Sequence, residues 1–319
     1  MNTKPKTVLV TGAAGFIGSN LVHALLVHRL YRSNIHILVK KDTNLWRIKS
    51  SLTRINVHRI NFLNQDKLRR MVNEIQPNVI FHLAAHGGSS HQTNLSKMIQ
   101  SNITSSANLL NVLNGIPYEA FIHVGSSSEY GLKERPMKED DALNPISFYA
   151  ATKAGATCIA QTFAHLFHKP IVILRPFSVY GPWEDGGRLI PTAMNAALRG
   201  HTFKLTPGII KRDFIFIDDF IRAVLLAARF AKKNAGEIIN VGTGKQYTNM
   251  EIVRAVEKLS GRKMRIEQNA YAPRKWDTHF WVADCRKAKH LLNWKAKYSL
   301  IDGLRHTFRW FKNHEHEYE

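Results

Sequence analysis

The chain has 319 residues, 44% apolar and 22% charged, which is a globular composition with length enough for a sizeable core. Its formal charge of +21 is large, but the basic residues are scattered (40–41, 69–70, 232–233, 286–289) and no nucleic-acid-binding motif accompanies them, so no nucleic-acid partner is expected. Two cysteines exclude a disulfide framework, and no apolar run approaches the roughly 20 residues a membrane helix needs, so a cytoplasmic protein without membrane contact is expected.

In chain order, residues 7–10 form a short β-rich run that ends in a glycine turn. Residues 18–27 have helical apolar spacing through Leu21, Val22, Leu25 and Leu26. Strands are expected at 35–39 and 57–60, then a helix at 68–75 stopped ahead of Pro77. Residues 79–83 are a near-continuous apolar run, as in a strand buried on both faces. Residues 95–113 read as helix, 120–124 as strand, 150–167 as a long helix and 171–174 as strand. This alternation argues for an α/β fold, a doubly wound parallel sheet of the Rossmann type with right-handed crossovers. After Tyr180, glycines and prolines break the chain into shorter pieces, with helices expected at 191–199, 218–231 and 249–259. Two domains are expected: 1–180, binding a dinucleotide, and 181–319, a smaller α/β substrate lobe, with segments of the second free to return to the first.

Thr11-Gly12-Ala13-Ala14-Gly15-Phe16-Ile17-Gly18 lies between the first strand and the first helix. Gly12 permits the tight turn, Gly15 lets backbone N–H groups approach a pyrophosphate, and Gly18 lets the helix pack on the strand. The helix N-terminus adds partial positive charge. With its Gly-x-x-Gly-x-x-Gly spacing, the chain here resembles the short-chain dehydrogenase/reductase superfamily. More narrowly, it resembles the extended branch of sugar-nucleotide epimerases, dehydratases and reductases, from about residue 7 to 310. The resemblance implies an NAD(P)-dependent enzyme with Gly12, Gly15, Phe16, Ile17 and Gly18 against the cofactor. Residues after the second strand choose between cofactors. Lys40 and Lys41 stand there and Asp42 comes late, which favours NADP(H), with NAD(H) as the other possibility. Leu83, Ala84 and Ala85 match the small residues that lie against the cofactor after strand four, and Asn102 matches a supporting asparagine. Phe62 stands where an acidic adenine contact is common, so that contact is not assigned.

Tyr149 and Lys153 are four residues apart on an expected helix, hence on one face. Tyrosine ordinarily titrates near 10, and a nearby ammonium favours the phenolate, so Tyr149 suits a proton shuttle to a sugar hydroxyl. Lys153 would also bind the nicotinamide ribose. In Gly125-Ser126-Ser127-Ser128-Glu129-Tyr130-Gly131, Ser126 matches the family's catalytic Ser/Thr, a hydrogen-bond donor to the reacting oxygen. Ser127 is a substrate-binding candidate. The family's 4,6-dehydratases place acidic groups at the positions of Ser127 and Ser128. Here Glu129 sits one later, which argues against a dehydratase. The string looks more like the 4-keto-6-deoxy-sugar reductases, the expected activity. The alternative is a C4 epimerase, which needs the same three residues.

Arg175-Pro176-Phe177-Ser178-Val179-Tyr180 resembles the segment lining the nicotinamide end, with Pro176 and Val179 as contacts. Lys211-Arg212-Asp213-Phe214-Ile215-Phe216-Ile217-Asp218-Asp219 resembles the family's Arg-Asp-Phe-x-x-Val-Asp-Asp signature. It implies that Arg212, together with Arg274 of Arg274-Lys275-Trp276-Asp277, holds the diphosphate of a nucleoside-diphosphate sugar. Asp218 is expected to cap the following helix. His82 and His86 span a strand end and a turn, so no metal site is expected. The family commonly dimerises, and a homodimer is expected by that analogy.

Overall fold

The computed structural model describes residues 5–32, 34–88, 92–271 and 277–314. Its elements run β1 (Val8–Thr11), α1 (Phe16–Val27), β2 (Ile35–Val39), β3 (Asn56–Arg59), α2 (Gln65–Ile75), β4 (Val79–His82), α3 (Leu95–Met98), α4 (Ser105–Leu113), β5 (Ala120–Val124) and α5 (Phe148–Leu166). They continue with β6 (Ile171–Pro176), β7 (Ser178–Tyr180), α6 (Leu189–Arg199), β8 (Phe203–Lys204), β9 (Lys211–Arg212), β10 (Phe214–Phe216), α7 (Ile217–Phe230), β11 (Ile238–Val241), β12 (Tyr247–Thr248) and α8 (Asn249–Ser260). The last are β13 (Ile266–Glu267), α9 (Arg286–Leu292) and α10 (Leu300–Asn313).

The chain divides into two interleaved units: Met1–Glu129, Pro145–Arg175 and Ile221–Ile239 form the first, and Tyr130–Asn144, Pro176–Phe220 and Asn240–Glu319 the second. The sequence reading put a single boundary at 180 with return segments. In the structure the chain passes from one unit to the other several times.

The first unit is built on a seven-stranded sheet of order β11-β6-β5-β4-β1-β2-β3. From β3 to β6 every neighbour is parallel. The near-continuous apolar runs of β1, β4, β5 and β6 follow from this position, for each is buried along its whole length, as strands covered on both faces must be. One face packs Leu9, Ile80, Phe121, Ile171 and Ile173 against α2, α4 and α5 through Leu68, Val72, Leu109, Leu113 and Ala160. The order reverses between β1 and β4. In an open parallel sheet that reversal leaves a crevice at the carboxyl ends of the strands.

Local signals set the helix ends. Asn64 caps α2 by accepting the Lys67 N–H, and Gln76 ends it in the left-handed region (φ 46°), just before Pro77. Ser147 caps α5 by accepting the Ala150 N–H, so the helix starts at Phe148, two residues before the apolar spacing suggested. The expected helix over 95–113 is interrupted by a π-helical stretch at Ile99–Thr104.

In the second unit, α10 packs on α6, α8 and β10. Gly303 makes this approach possible, since a Cβ there would lie 2.1 Å from the Tyr180 hydroxyl. Asp218 was expected to cap α7. The residue that organises this region is instead Asp219, whose carboxylate accepts the N–H groups of Lys297 and Tyr298 while its carbonyl accepts the Trp294 indole N–H. No helix among the described residues is long and apolar enough to cross a membrane.

Glu184, on the loop before α6, is buried, and its Oε2 has no hydrogen-bond partner. Burial raises its pKa to about 8. Between its ordinary value and about 8, the folded chain therefore keeps a proton that the unfolded chain has released. Stability contributed by this group is full below the unfolded pKa and is lost as pH rises through the folded one, at up to about 1.4 kcal/mol per pH unit. Urea unfolding of the native chain across pH 5 to about 8 is expected to show this decline, and Glu184→Gln is expected to flatten it.

Candidate active site

The glycine turn sits where the sheet order reverses. Gly12 has φ 73°, and a Cβ on it would lie 2.6 Å from the Ala84 nitrogen and the Leu83 carbonyl carbon. Only hydrogen fits between the turn after β1 and the segment after β4. A Cβ on Gly18 would lie 2.0 Å from the Gly12 carbonyl oxygen, so α1 presses against the same turn. Gly15 is the N-cap of α1, whose first turn opens with Phe16 and Ile17 and carries no acidic residue and no capping side chain. This is an N-terminus prepared for an anion. The residues present fit a dinucleotide: Gly12, Gly15, Phe16, Ile17 and Gly18 form the turn and helix start that a pyrophosphate would meet, and Leu83 and Ala84 lie in direct apposition to Gly12. Ala85, the next residue, is exposed.

Lys40 and Lys41 follow β2 on the surface. The Lys40 ammonium donates to Ser101 Oγ at 2.9 Å, and the Arg59 guanidinium donates to the carbonyls of both lysines.

A buried polar network runs from this turn to α5. His82, at the end of β4, is paired in register with Thr11. Thr11 Oγ1 lies 2.7 Å from His82 Nδ1, and Ser106 Oγ lies 2.8 Å from His82 Nε2. Ser106 gives its proton to the Asn102 carbonyl, so it must accept from Nε2–H. Nδ1 is then the acceptor, and Thr11 donates to it while accepting the Ala84 N–H. Burial and the Lys153 charge push the His82 pKa down to about 3, so this neutral tautomer persists. Asn102 lies in the π-helical stretch. Its amide group exchanges two hydrogen bonds with the backbone of His86 and donates to Thr152 Oγ1 on α5.

Tyr149 and Lys153 are one turn apart on α5. Tyr149 is partly accessible and Lys153 is 3% exposed. The Lys153 ammonium donates to the Val124 carbonyl at 2.6 Å. Val124 ends β5, immediately before Gly125 and Ser126, so the lysine is tied to the strand that delivers the serine. Burial lowers the Lys153 pKa to about 8, and the Glu129 charge opposes that shift. Ser126 Oγ accepts the Ser128 N–H and lies 2.7 Å from Ser128 Oγ. Ser127 is buried. Glu129 points inward to an ion pair with Arg175 at 2.8 Å, both side chains essentially inaccessible.

The other expected contacts lie in the second unit. Pro176 ends β6, and Val179 on β7 is paired in register with Ile215 of β10. Arg212 sits on β9 with its guanidinium over the Trp281 ring, 5.1 Å from the centroid. The sequence reading missed Trp281 because nothing in its local pattern marks a stacking partner. It also missed Asp213, which is fully buried and accepts from Thr243 N–H and Oγ1–H, Gly244 N–H and Ala283 N–H. That carboxylate locks the Arg-Asp turn to the Asn240-Val241-Gly242-Thr243-Gly244 turn. Arg274 lies outside the described residues. Among the described residues no cluster of His, Cys, Asp and Glu is arranged to hold a metal.

A Rossmann sheet with a glycine-lined reversal point and a Ser, Tyr and Lys set beside it defines a nucleotide-cofactor enzyme of the short-chain dehydrogenase/reductase type. Residues 8–242 match the model of the NAD dependent epimerase/dehydratase family, and the chain belongs to that family. It is 31% identical over 313 residues to a UDP-glucuronate 4-epimerase of Thermodesulfobacterium geofontis, covering 95% of each chain. It is similar to the structure of a UDP-glucuronic acid 4-epimerase from Bacillus cereus in complex with UDP-glucuronic acid and NAD: TM-score 0.86, 32% identity, 96% of this chain and 99% of that one. A dTDP-glucose 4,6-dehydratase from Bacillus anthracis in complex with NAD is also similar, at TM-score 0.86 and 26% identity, covering 98% of each chain.

Lys153 is a poor residue for stability. A lysine pKa lowered from 10.5 to about 8 corresponds to a cost of about 3 kcal/mol at neutral pH, where the side chain is charged in both folded and unfolded chains. Lys153→Met removes that cost but leaves the Val124 carbonyl without its donor. The expected net result is a gain of about 1–2 kcal/mol in urea unfolding at pH 7 together with loss of activity. The gain is expected to shrink as pH rises from about 8 toward the ordinary lysine value.

Proposed function

We propose that the chain is a nucleotide-sugar epimerase that inverts C4 of a nucleoside-diphosphate sugar, with UDP-glucuronate as the substrate to test first. The observation that carries this reading is the Ser126, Tyr149 and Lys153 set with its nearest carboxylate, Glu129, withdrawn into an ion pair with Arg175. Water elimination by a dehydratase asks for an acidic group free to move protons. Inversion of a hydroxyl carbon asks only for one group that takes and returns the hydroxyl proton. The sequence reading put a 4-keto-6-deoxy-sugar reductase first and a C4 epimerase second. The similarity to UDP-glucuronate 4-epimerases over nearly the whole chain supports the opposite order.

Tyr149 takes the proton of the C4 hydroxyl and later returns it to the same oxygen. Ser126 hydrogen-bonds that oxygen, and Lys153 lowers the cost of the phenolate. A nicotinamide cofactor held there would supply reversible hydride exchange at C4, so that no net oxidant would be consumed. We assign NAD rather than the NADP favoured by the lysine pair. The similar proteins of known structure hold NAD, and the Lys40 ammonium is already donated to Ser101. Gly12, Gly15, Phe16, Ile17, Gly18, Leu83, Ala84 and Ala85 would hold it, supported by Asn102, with Pro176 and Val179 at the nicotinamide end. Arg212, braced on Trp281, is assigned to the diphosphate. Ser127 and Arg274 remain substrate contacts by resemblance. A homodimer and a cytoplasmic location complete the proposal, and the free thiols Cys158 and Cys285 suit a reducing compartment.

The test is to incubate the purified protein with UDP-glucuronate and follow the anomeric signals by NMR. The expected outcome is conversion to the C4 epimer with no net gain or loss of reduced nicotinamide. Tyr149→Phe should cut kcat by about a hundredfold or more. Stoichiometric NADPH consumption with a 4-keto-6-deoxy sugar, and no epimerisation, would return the reductase to first place.

A further inference from the structure

The buried carboxylate of Glu129 makes contacts that the proton chemistry alone does not explain. Its Oε2 accepts from Arg175 Nε at 2.8 Å. Its Oε1 accepts the Ser126 N–H at 2.7 Å and the Thr157 hydroxyl at 3.1 Å. Thr157 is one turn beyond Lys153 on α5, so the carboxylate lies along the same helix face as the ammonium. Gly125 makes the approach possible: a Cβ there would lie 2.6 Å from Glu129 Oε1.

The titratable and charged groups of this cluster come from five elements. His82 on β4 and His123 on β5 are fully buried, their pKa values lowered first by burial and then by Lys153, so both are neutral. His123 has neither ring nitrogen partnered, and its ring lies 5.5 Å from that of His82. Arg175 comes from β6. Glu129 comes from the 3₁₀ turn Ser127–Tyr130, and Tyr149 shares α5 with the lysine. In this cluster one carboxylate serves both cations, and it is the group that favours the charged lysine.

We infer that Glu129 is a positioning residue of the active site: one oxygen fixes Ser126 through its backbone N–H and holds it to Thr157, while the buried carboxylate is the counter-charge along the face of α5 that carries Lys153. Its place one position beyond the dehydratase pattern is thus a working part of the site. The inference rests on the assignment of Ser126, Tyr149 and Lys153 made above, and on no particular sugar.

The experiment titrates Lys153 in the full chain carrying carbon-labelled lysine, by NMR, without substrate. Lys153 is recognised as the signal that titrates near 8 and vanishes in Lys153→Met. Glu129→Gln keeps an oxygen for the Ser126 N–H but loses the charge. The Lys153 titration is expected to fall by about one unit. The alkaline limb of kcat should move the same way, with kcat at pH 7.5 about threefold lower and KM little changed. Because Glu129→Gln strands a buried arginine, Glu129→Gln/Arg175→Met is measured beside it. The double variant lacks the stranded guanidinium as well as the carboxylate, so it should recover Tm while its Lys153 titration still lies below that of the native chain. An unshifted Lys153 titration in a folded variant overturns the inference. Failure of both variants to fold also overturns it, since Glu129 would then belong to the fold rather than the site. A shifted titration in a protein that epimerises nothing would leave the inference standing and sink the substrate reading.

Discussion

The first unit is arranged around one demand: a primary ammonium held out of water must keep its charge. Lys153 reaches the Val124 carbonyl, and α5 and β5 are thereby fixed to each other at the end of the sheet. Taking an ammonium out of water is costly unless hydrogen bonds and an opposite charge replace the lost hydration. Glu129 supplies that charge, and the two neighbouring histidines stay neutral because they are buried and, secondly, lie near the lysine. The polar residues at the carboxyl ends of β1, β4, β5 and β6, namely Thr11, His82, His123 and Arg175, form the buried surroundings in which this compensation operates.

The second constraint is contact distance. Gly12 must come within a hydrogen's width of Leu83 and Ala84, and Gly18 within the same distance of Gly12. These approaches bring together the three segments whose backbone would border a dinucleotide. The hydrogen bonds from Thr11 through His82, Ser106 and Asn102 to Thr152 then join the turn to the helix carrying Tyr149. Asn102 serves this network from a π-helical stretch, where the wider turn shifts the side chains that follow relative to an α-helix. In the proposed reading, the groups for proton transfer and for cofactor placement share this one hydrogen-bonded support.

Much of this was legible in the sequence because it depends on period and spacing. The buried strands announced themselves as apolar runs, and Tyr149 with Lys153 as a pair on one helix face. Gly12 and Gly18 were legible because only glycine satisfies their contacts. What stayed hidden depends on contacts between distant residues. Asp213 and Asp219 carry no local mark of their role, yet each satisfies N–H groups from segments far along the chain. Trp281 became a partner of Arg212 only through the fold. Lys40 and Lys41 were read from their place after β2, which says nothing of Ser101, 61 residues away, as an acceptor for Lys40. Helix α10 was not legible although its apolar residues have helical spacing, because Gly303 in its first turn weakens the local helical signal.

The Ser-rich turn shows how little separates chemistries on this fold. A 3₁₀ turn has about three residues per turn, so neighbouring side chains diverge by about 120°. Ser128 points its hydroxyl back at Ser126, on the side where the reacting oxygen would lie, whereas Glu129 one step later faces the sheet and Arg175. A carboxylate at 128 would be free to exchange protons. The same group at 129 is buried, paired with Arg175 and hydrogen-bonded to the Ser126 backbone and Thr157. Shifting one acidic residue by one position therefore removes the means of eliminating water while improving support for the tyrosine, lysine and serine that epimerisation requires.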